Sequence, residues 1–321
     1  MVSAAIRVTL GMETSKSFIF HIEDEEGIRL DVFLADNLPD VSRSYVQKLI
    51  DEEHVKVNGQ SAKSRLKTAS GMEITVDIPA PKSLIVTPQN IPLDIIYEDR
   101  DILIINKPKN MVVHPAPGNY DNTLVNALLY CCTDLSDING IIRPGIVHRI
   151  DKETTGLIAV AKNNRAHREL AKQLEDHSMQ RIYEAIVEGI IKEDKGTIDA
   201  PIGRHPGDRK KMAVTPGKGR GAITHFEVIE RQKKTTHIKC MLETGRTHQI
   251  RVHMQYIHHS VYGDPLYATY SKEATTDGQA LHARFLQLTH PSTGKIMGFE
   301  APLPESFSKL LTKMNYLSSR K

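Results

Sequence analysis

The stretch His148-Arg149-Ile150-Asp151-Lys152-Glu153-Thr154-Thr155-Gly156-Leu157 stands between two short apolar runs. Ile146 and Val147 precede it, and Leu157 to Ala161 follow it. A run, a charged turn and a second run read as two buried strands joined by a loop. Loops held by rigid strands are where catalytic side chains tend to sit. This loop offers a His, an Arg, an Asp and a pair of Thr. Asp151 has two readings from residue type alone: it can bond the turn backbone, as Asp often does, or it can be a catalytic carboxylate.

Downstream of the loop, Asn164 to His177 reads as a helix with Ala166, Leu170, Ala171 and Leu174 as its buried stripe. Arg181 to Val187 alternates as a strand that carries Tyr183, which in such a place is either a half-buried core residue or a ligand-facing one. Arg204, Arg209, Lys210 and Lys211 fall in one hairpin loop. A charged hairpin tip is commonly just solvated, but a basic finger also clamps an RNA stem, because Arg and Lys follow phosphates without needing sequence. Thr235 to Leu242 is a strand that runs into Glu243-Thr244-Gly245-Arg246-Thr247-His248-Gln249-Ile250-Arg251-Val252-His253. Ile250, Met254 and Ile257 then recur at helical spacing, so Arg246 sits near a strand-to-helix turn, beside an electropositive helix N-terminus.

Upstream, Thr123 to Tyr130 reads as a helix, and Leu93 to Tyr97 and Ile102 to Asn106 read as strands. Lys107-Pro108-Lys109-Asn110-Met111-Val112-Val113-His114-Pro115 follows the second of them. Lys107 reads as an exposed turn lysine or an RNA contact, and Asn110 tolerates left-handed backbone. Prolines at 79, 81, 88 and 92 make a stiff connector and mark a domain boundary. Before it, Leu30, Phe33, Leu34 and Leu38 have helical spacing, and Pro39 stops that segment. Ser44 with Gln47 matches a capping box for a second helix striped by Val46, Leu49 and Ile50. Val55-Lys56-Val57-Asn58-Gly59-Gln60 is a strand entering an Asn-Gly turn, and Glu73 to Ile78 alternates as another strand.

The bulk numbers exclude more than they assert. The chain has 321 residues, enough for two domains, and a net charge of only +3, so any nucleic-acid footprint must be local. Its three cysteines, Cys131, Cys132 and Cys240, show no zinc spacing and fit a reducing cytosol. No apolar run approaches the roughly 18 residues of a membrane span. His248, His253, His258 and His259 lack a HExxH pattern and a carboxylate at ligand spacing, so no metal site is expected. No Walker loop or dinucleotide glycine motif is present, and no cofactor is expected.

Taken together, "HRIDKETTGLIAVAKN" resembles the signature of the RluA/RluD family of RNA pseudouridine synthases, with Ile150 in place of the usual Leu. The Lys107 to Pro115 segment resembles that family's first motif, the Tyr183 strand its second, and the segment from Glu243 to His253 its third. The hairpin Arg-His-Pro followed by Met-Ala-Val is similar to RluD-type members in particular. The first sixty or so residues resemble the alpha-L, S-four-type RNA-binding module, on Arg29-Leu30-Asp31, Ser42-Arg43-Ser44, Gln47 to Ile50, Val55 to Gly59 and Lys63. That module usually has a helix-ending Gly near Glu53.

The resemblance implies an α+β fold. A pseudouridine synthase core, built on a mixed and largely antiparallel sheet with flanking helices, follows a small α/β RNA-binding domain. The implied division is a flexible start over residues 1–16, the RNA-binding domain over 17–80, a linker over 81–91, the catalytic domain over 92–305 and a tail over 306–321, frayed from Tyr316. It implies Asp151 as the nucleophile, Arg246 as the cation that pairs with it and favours its ionised form, and Tyr183 against the target base. Thr155 and Leu281 would shape the pocket, Leu281 by excluding water. RNA contacts are expected from Arg43, Lys48, Lys56, Lys63, Lys107, Arg204, Arg209, Lys210 and Lys211. His148 and Arg149 would either shape the loop or touch RNA. Residues 28–80 hold seven Lys/Arg against eight Asp/Glu, so RNA binding there requires basic and acidic faces to segregate.

The implied reaction converts a uridine, flipped out of structured RNA, to pseudouridine without cofactor or metal. Large-subunit ribosomal RNA or a pre-ribosomal particle is the expected partner, with no membrane involved, for a monomer in the cytoplasm. Three alternatives stand beside this reading. They are the same chemistry on transfer RNA or other ribosomal sites, a non-catalytic RNA-binding assembly factor, and a glycoside hydrolase that would need a second acid such as Glu153.

Overall fold

The structure is a computed structural model and describes residues 16–23, 25–38, 41, 43–78, 86–116, 118–132, 134–138, 143–271 and 278–319. The expected flexible start up to residue 15, the prolines at 39, 79 and 81, Ser42, and the linker up to residue 85 lie outside the described residues. The chain divides into two compact units, residues 1–84 and 85–321.

In the first unit, β1 (Lys16–His21), α1 (Leu30–Asn37), α2 (Arg43–Asp51), β2 (Val55–Val57), β3 (Gln60–Ser61) and β4 (Glu73–Ile78) follow in order. The strands form an antiparallel sheet in the order β1-β4-β2-β3. Asn58 and Gly59 both take positive φ, 49° and 78°, and close β2 onto β3 with the two-residue turn that an Asn-Gly pair favours. Alternate residues of β1, Phe18, Phe20 and then Ile22, pack with Phe33, Leu34, Val46, Leu49, Ile74 and Val76 in one core. Glu53 takes the left-handed backbone, φ 60°, where the S-four-type module usually has Gly. Gln47, expected to close a capping box with Ser44, instead donates from Nε2 to Asp31 Oδ2 at 2.7 Å.

The second unit is built on a nine-stranded sheet. Its strands are β5 (Asp94–Glu98), β6 (Ile102–Lys107), β7 (Thr155–Ala161), β8 (Gln180–Glu188), β9 (Lys195–Asp199), β12 (Ile223–Arg231), β13 (Thr235–Leu242), β14 (Leu281–Thr289) and β15 (Ile296–Glu300). The order is β5-β6-β7-β14-β8-β13-β12-β9, with β15 on β14. Only β7 and β14 pair in parallel, so the sheet is mixed and largely antiparallel. A separate hairpin, β10 (Ile202–Arg204) with β11 (Met212–Val214), carries the basic loop. Helices α3 (Leu124–Cys131), α4 (Asn164–Glu175), α5 (Gln249–Tyr256) and α6 (Glu305–Ser319) complete the unit. Among the described residues no helix is long and apolar enough to cross a membrane.

Three expectations are corrected here. The run before the Asp151 loop is not a strand: Ile146 makes a single bridge to Val160, and only β7 is continuous. Two apolar residues after Gly145, which has φ 69°, are too few to propagate a ladder. In α4, Ala171 is exposed, whereas His167 and Gln173 are buried beside Ala166 and Leu170. The side chain of Gln173 is drawn in because its Nε2 donates to Thr289 O and its Oε1 accepts from Thr289 N on β14, both at 2.7 Å. Most of the expected tail is α6, whose Phe307 and Met314 are buried. Phe307 packs in a small cluster with Ile186 and Ala280, and the burial of that apolar face holds the helix on.

Candidate active site

The loop that carries Asp151 is clamped from three sides. Lys107, at the end of β6, is fully buried, and its Nζ donates to Pro108 O at 2.7 Å, Met111 O at 2.9 Å and Lys152 O at 3.2 Å. Burial lowers this ammonium to about 7, against a smaller raising pull from Asp151. Before the loop, His148 Nε2 accepts from the Ala159 amide of β7 at 2.9 Å. After it, Thr155 Oγ1 bonds His282 Nδ1 at 2.7 Å, and buried Thr154 accepts from Gln279 Nε2 at 2.9 Å. Gly156 is required at this point. Its φ is 108°, and a Cβ there would stand 2.2 Å from Ala283 O, so any side chain would push β7 off β14.

The clamped loop presents Asp151 to an open cleft. Ile150, Tyr183, Leu242 and Leu281 line its apolar part, and Arg149, Arg181, Arg246 and Arg251 its cationic part. Tyr183 is buried on β8, in one cluster with Ile150, Ala185 and Leu281. Burial raises its phenol above the ordinary value, and the nearby Arg181 opposes this.

Asp151 is not bonded to its own turn through its side chain. Its Oδ2 accepts from Arg251 Nη1 at 2.8 Å. Arg251, in the first turn of α5, is itself held by Asp264, with Nε to Oδ2 at 2.6 Å and Nη2 to Oδ1 at 2.9 Å. Asp264 is fully buried, and its Oδ1 also accepts from the amides of Leu266 and Tyr267. Burial pulls the Arg251 guanidinium down, but its bonds to Asp264 and the charge of Asp151 outweigh this and hold it above its ordinary range. The ring of Tyr267 lies 5.0 Å from Arg251 Cζ, a cation–π contact. The Tyr267 hydroxyl accepts from the Met212 amide of β11 and bonds His248 Nδ1, both at 2.8 Å.

The expected pairing of Asp151 with Arg246 is therefore corrected: the partner is Arg251. Arg246 is exposed and its Nε donates to Gly221 O at 3.0 Å. Its amide is held by Gln249 Oε1 at 2.9 Å, which fixes it before the helix begins. Both arginines lie in the same short motif, and only the helix start separates them. Among the described residues, α5 buries every position from Gln249 to Met254. A charged residue in a helix buried all round needs a carboxylate, and the burial that singles out Arg251 is a property of the fold that the motif does not print.

The comparisons with known proteins bear on this geometry. The model of the RNA pseudouridylate synthase family matches residues 101–256, and that of the S4 domain matches residues 28–74. The RNA pseudouridine synthase YlyB of Bacillus subtilis is 51% identical over 292 residues, spanning 91% of this chain and 96% of that protein. The ribosomal large subunit pseudouridine synthase D of Zymomonas mobilis is 48% identical over 311 residues, spanning 93% of this chain and 97% of that protein.

This chain belongs to the RNA pseudouridine synthase family. The human RNA pseudouridylate synthase domain containing 1 shares the fold, with a TM-score of 0.55 at 23% identity over 73% of this chain and 96% of that one.

Within this RNA pseudouridine synthase, the residues expected to touch RNA separate into two sets. Lys107 is corrected: it is buried under the Asp151 loop and its three donors are spent on carbonyls, so it cannot meet a phosphate. His148 holds the loop, as one of its two readings had it, and Thr155 holds it from the other end. Arg149 is exposed at the cleft. In the hairpin, Arg209 and Lys210 are exposed, Lys211 is half-buried, and Arg204 Nη1 donates to Arg209 O at 3.1 Å, bracing the loop from inside. In the first unit, Lys56 and Lys63 are exposed, and Lys63 lines a groove with Arg65 and Leu66. Lys48 stands 3.7 Å from Glu52, and Arg43 is drawn to Asp31 at 3.0 Å. Two of the histidines considered for a metal are bonded within the fold. His253 bonds Thr224 and Ala200 O, each at 2.9 Å, and His259 bonds Glu188 O at 2.8 Å.

Proposed function

We propose that this enzyme converts specific uridines of large-subunit ribosomal RNA to pseudouridine, with Asp151 as its nucleophile. The observation that carries the reading is the Asp151 carboxylate, held by Arg251 at 2.8 Å at the edge of a cleft that also contains Tyr183 and Leu281. The choice of RNA rests on relatives at 45–48% identity that are named ribosomal large subunit pseudouridine synthase D.

The reaction breaks the C1′–N1 bond of the uridine, turns the uracil, and joins C5 to C1′. The proton on C5 is lost and N1 takes one up, so atoms balance without an oxidant. Asp151 attacks as a nucleophile, at the sugar or at the ring, and its bond from Arg251 at 2.8 Å orients it. The target base leaves its stack to reach Asp151, at an unstacking cost of about a few kcal/mol that is smallest in a loop. Tyr183 then stacks on it. Leu281 and Ile150 keep water from a base that is briefly detached.

The test incubates unmodified large-subunit ribosomal RNA, and separately a transfer RNA pool, with wild-type enzyme and with Asp151→Asn. Pseudouridine is then mapped at single-nucleotide resolution. Sites in the large-subunit RNA that are absent with the variant are the expected result. Sites confined to transfer RNA would overturn the substrate, and sites formed equally by the variant would overturn the nucleophile.

A further inference from the structure

Among the described residues of this unit two arginines are buried, and only one of them is matched with carboxylates. Arg251 has Asp151 and Asp264. Arg181, on β8, is only 7% exposed and lines the same cleft, yet no carboxylate pairs with it among the described residues. Its Nη2 donates to Glu243 O at 3.0 Å, and its buried Nε has no partner. The Glu243 carboxylate is engaged elsewhere, with His225 Nε2 at 2.6 Å. One neutral carbonyl does not offset the desolvation of a guanidinium. A cation kept in a cleft on those terms has its counter-charge supplied from outside.

We propose that Arg181 is an anion subsite that takes an RNA backbone phosphate flanking the target uridine. The proposal rests on the reading of the cleft as the place where a flipped uridine is isomerised. Arg181 and Tyr183 are two residues apart on one strand and so share a face, about 6.6 Å apart along it. That is comparable to the reach from a base across its sugar to its phosphate. A base stacked on Tyr183 thus leaves one of its two phosphates beside Arg181. The planar guanidinium suits this, since its unspent donors can meet a phosphate in a fork. Gly245 belongs to the same subsite. A Cβ there would stand 2.8 Å from Arg181 Nη1, so an alanine at 245 would displace the end of the guanidinium. Arg149 and Arg246 are exposed at the cleft, where they can meet more distant phosphates.

The experiment uses a stem-loop RNA that contains a mapped target uridine. Uncharged methylphosphonate replaces the phosphate on its 5′ side in one RNA and on its 3′ side in another. Affinities of the full-length enzyme are measured for wild type, Arg181→Lys, Arg181→Gln and Gly245→Ala. One of the two replacements is expected to weaken wild-type binding about tenfold. Arg181→Gln should weaken binding of the unmodified RNA by a similar factor and be indifferent to that replacement. Arg181→Lys should keep part of the sensitivity, and Gly245→Ala should lose much of it.

Wild-type indifference to both replacements would overturn the subsite, and so would an Arg181→Gln enzyme as sensitive as wild type. Should Arg181→Gln fold poorly, the wild-type and Arg181→Lys measurements still decide. The readout is affinity, so a failure to form pseudouridine in any RNA would count against the proposed function and not against the subsite.

Discussion

Two carboxylates, one in each unit, sit among arginines, and they do opposite things with them. Asp31 in the first unit is fully buried and saturated. Arg29 Nε reaches its Oδ1 at 3.0 Å, and Arg43 Nε and Gln47 Nε2 reach its Oδ2 at 3.0 and 2.7 Å. Asp151 in the second unit is half-buried, accepts one donor from Arg251, and faces a cleft. The buried anchor of that site is Asp264, which reaches Asp151 only through Arg251. Two of the donors on Asp31, Arg43 and Gln47, tie α1 to α2, whereas Asp151 keeps an oxygen available because Asp264 bears the work of fixing Arg251. A buried carboxylate that collects several donors is a structural knot. One that is oriented by a single shared arginine is available for chemistry.

Removing the shared arginine breaks the comparison most severely. Arg251→Ala leaves Asp264 buried without a counter-ion and Asp151 without orientation. Pseudouridine formation should fall by about 10³-fold, and denaturant unfolding should show a loss of about 3–5 kcal/mol. Asp264→Ala comes next. It leaves Arg251 buried with only the half-exposed Asp151, and should cost about 3 kcal/mol in the same unfolding experiment. It should also reduce activity, although Asp264 touches no substrate. Activity unchanged by Asp264→Ala would mean that Asp151 alone can hold Arg251 in place.

Asp31→Asn sharpens the other side. It should leave single-turnover rates on bound RNA unchanged and cost the first unit about 1–3 kcal/mol. The Asp31 carboxyl is held well below the usual carboxylate range, chiefly by its bond from Arg29, against a raising effect of burial and with help from Gln47 and Arg43. A depressed folded-state pKa stabilises fully above the unfolded value of about 4 and loses that contribution as pH falls below it. Amide exchange at Leu34, Leu49 and Val76 in the full chain should therefore show wild type and variant converging as pH drops through 4. A gap that stays constant with pH would show that the bonds, and not the charge, carry the stabilisation.

What could be read from the sequence follows the same divide between local and shared interactions. The Asn-Gly turn, the alternation of β8, the strand character of β13, the basic hairpin and the position of Asp151 in a loop are local, and all were legible. Asn110 takes φ 64°, as its turn required. Lys107 was misread because its burial depends on Met111 and on the loop at Lys152, 45 residues away. The burial of α6 was visible in part, since Phe307, Leu310, Leu311 and Met314 keep helical spacing. Its partners Ile186 and Ala280 come from β8 and the approach to β14, and no local pattern points to them. The alternation of Phe18, Phe20 and Ile22 in β1 was equally open to reading.

The choice between Arg246 and Arg251 is the smallest perturbation and the most telling one. Both arginines line the cleft, five positions apart, in a motif that does not say which is which. Arg246 precedes α5, is exposed, and is tied by its side chain only to Gly221 O among the described residues. Arg246→Ala removes a solvated charge, for which the cost in RNA affinity is about 1 kcal/mol, or roughly fivefold. That loss should shrink as salt rises, which is the signature expected of a phosphate contact. The rate on saturating RNA should change little, since Asp151 keeps Arg251. A collapse of that rate, comparable to Arg251→Ala, would mean that Arg246 moves onto Asp151 when RNA binds and that the two arginines share the carboxylate in turn.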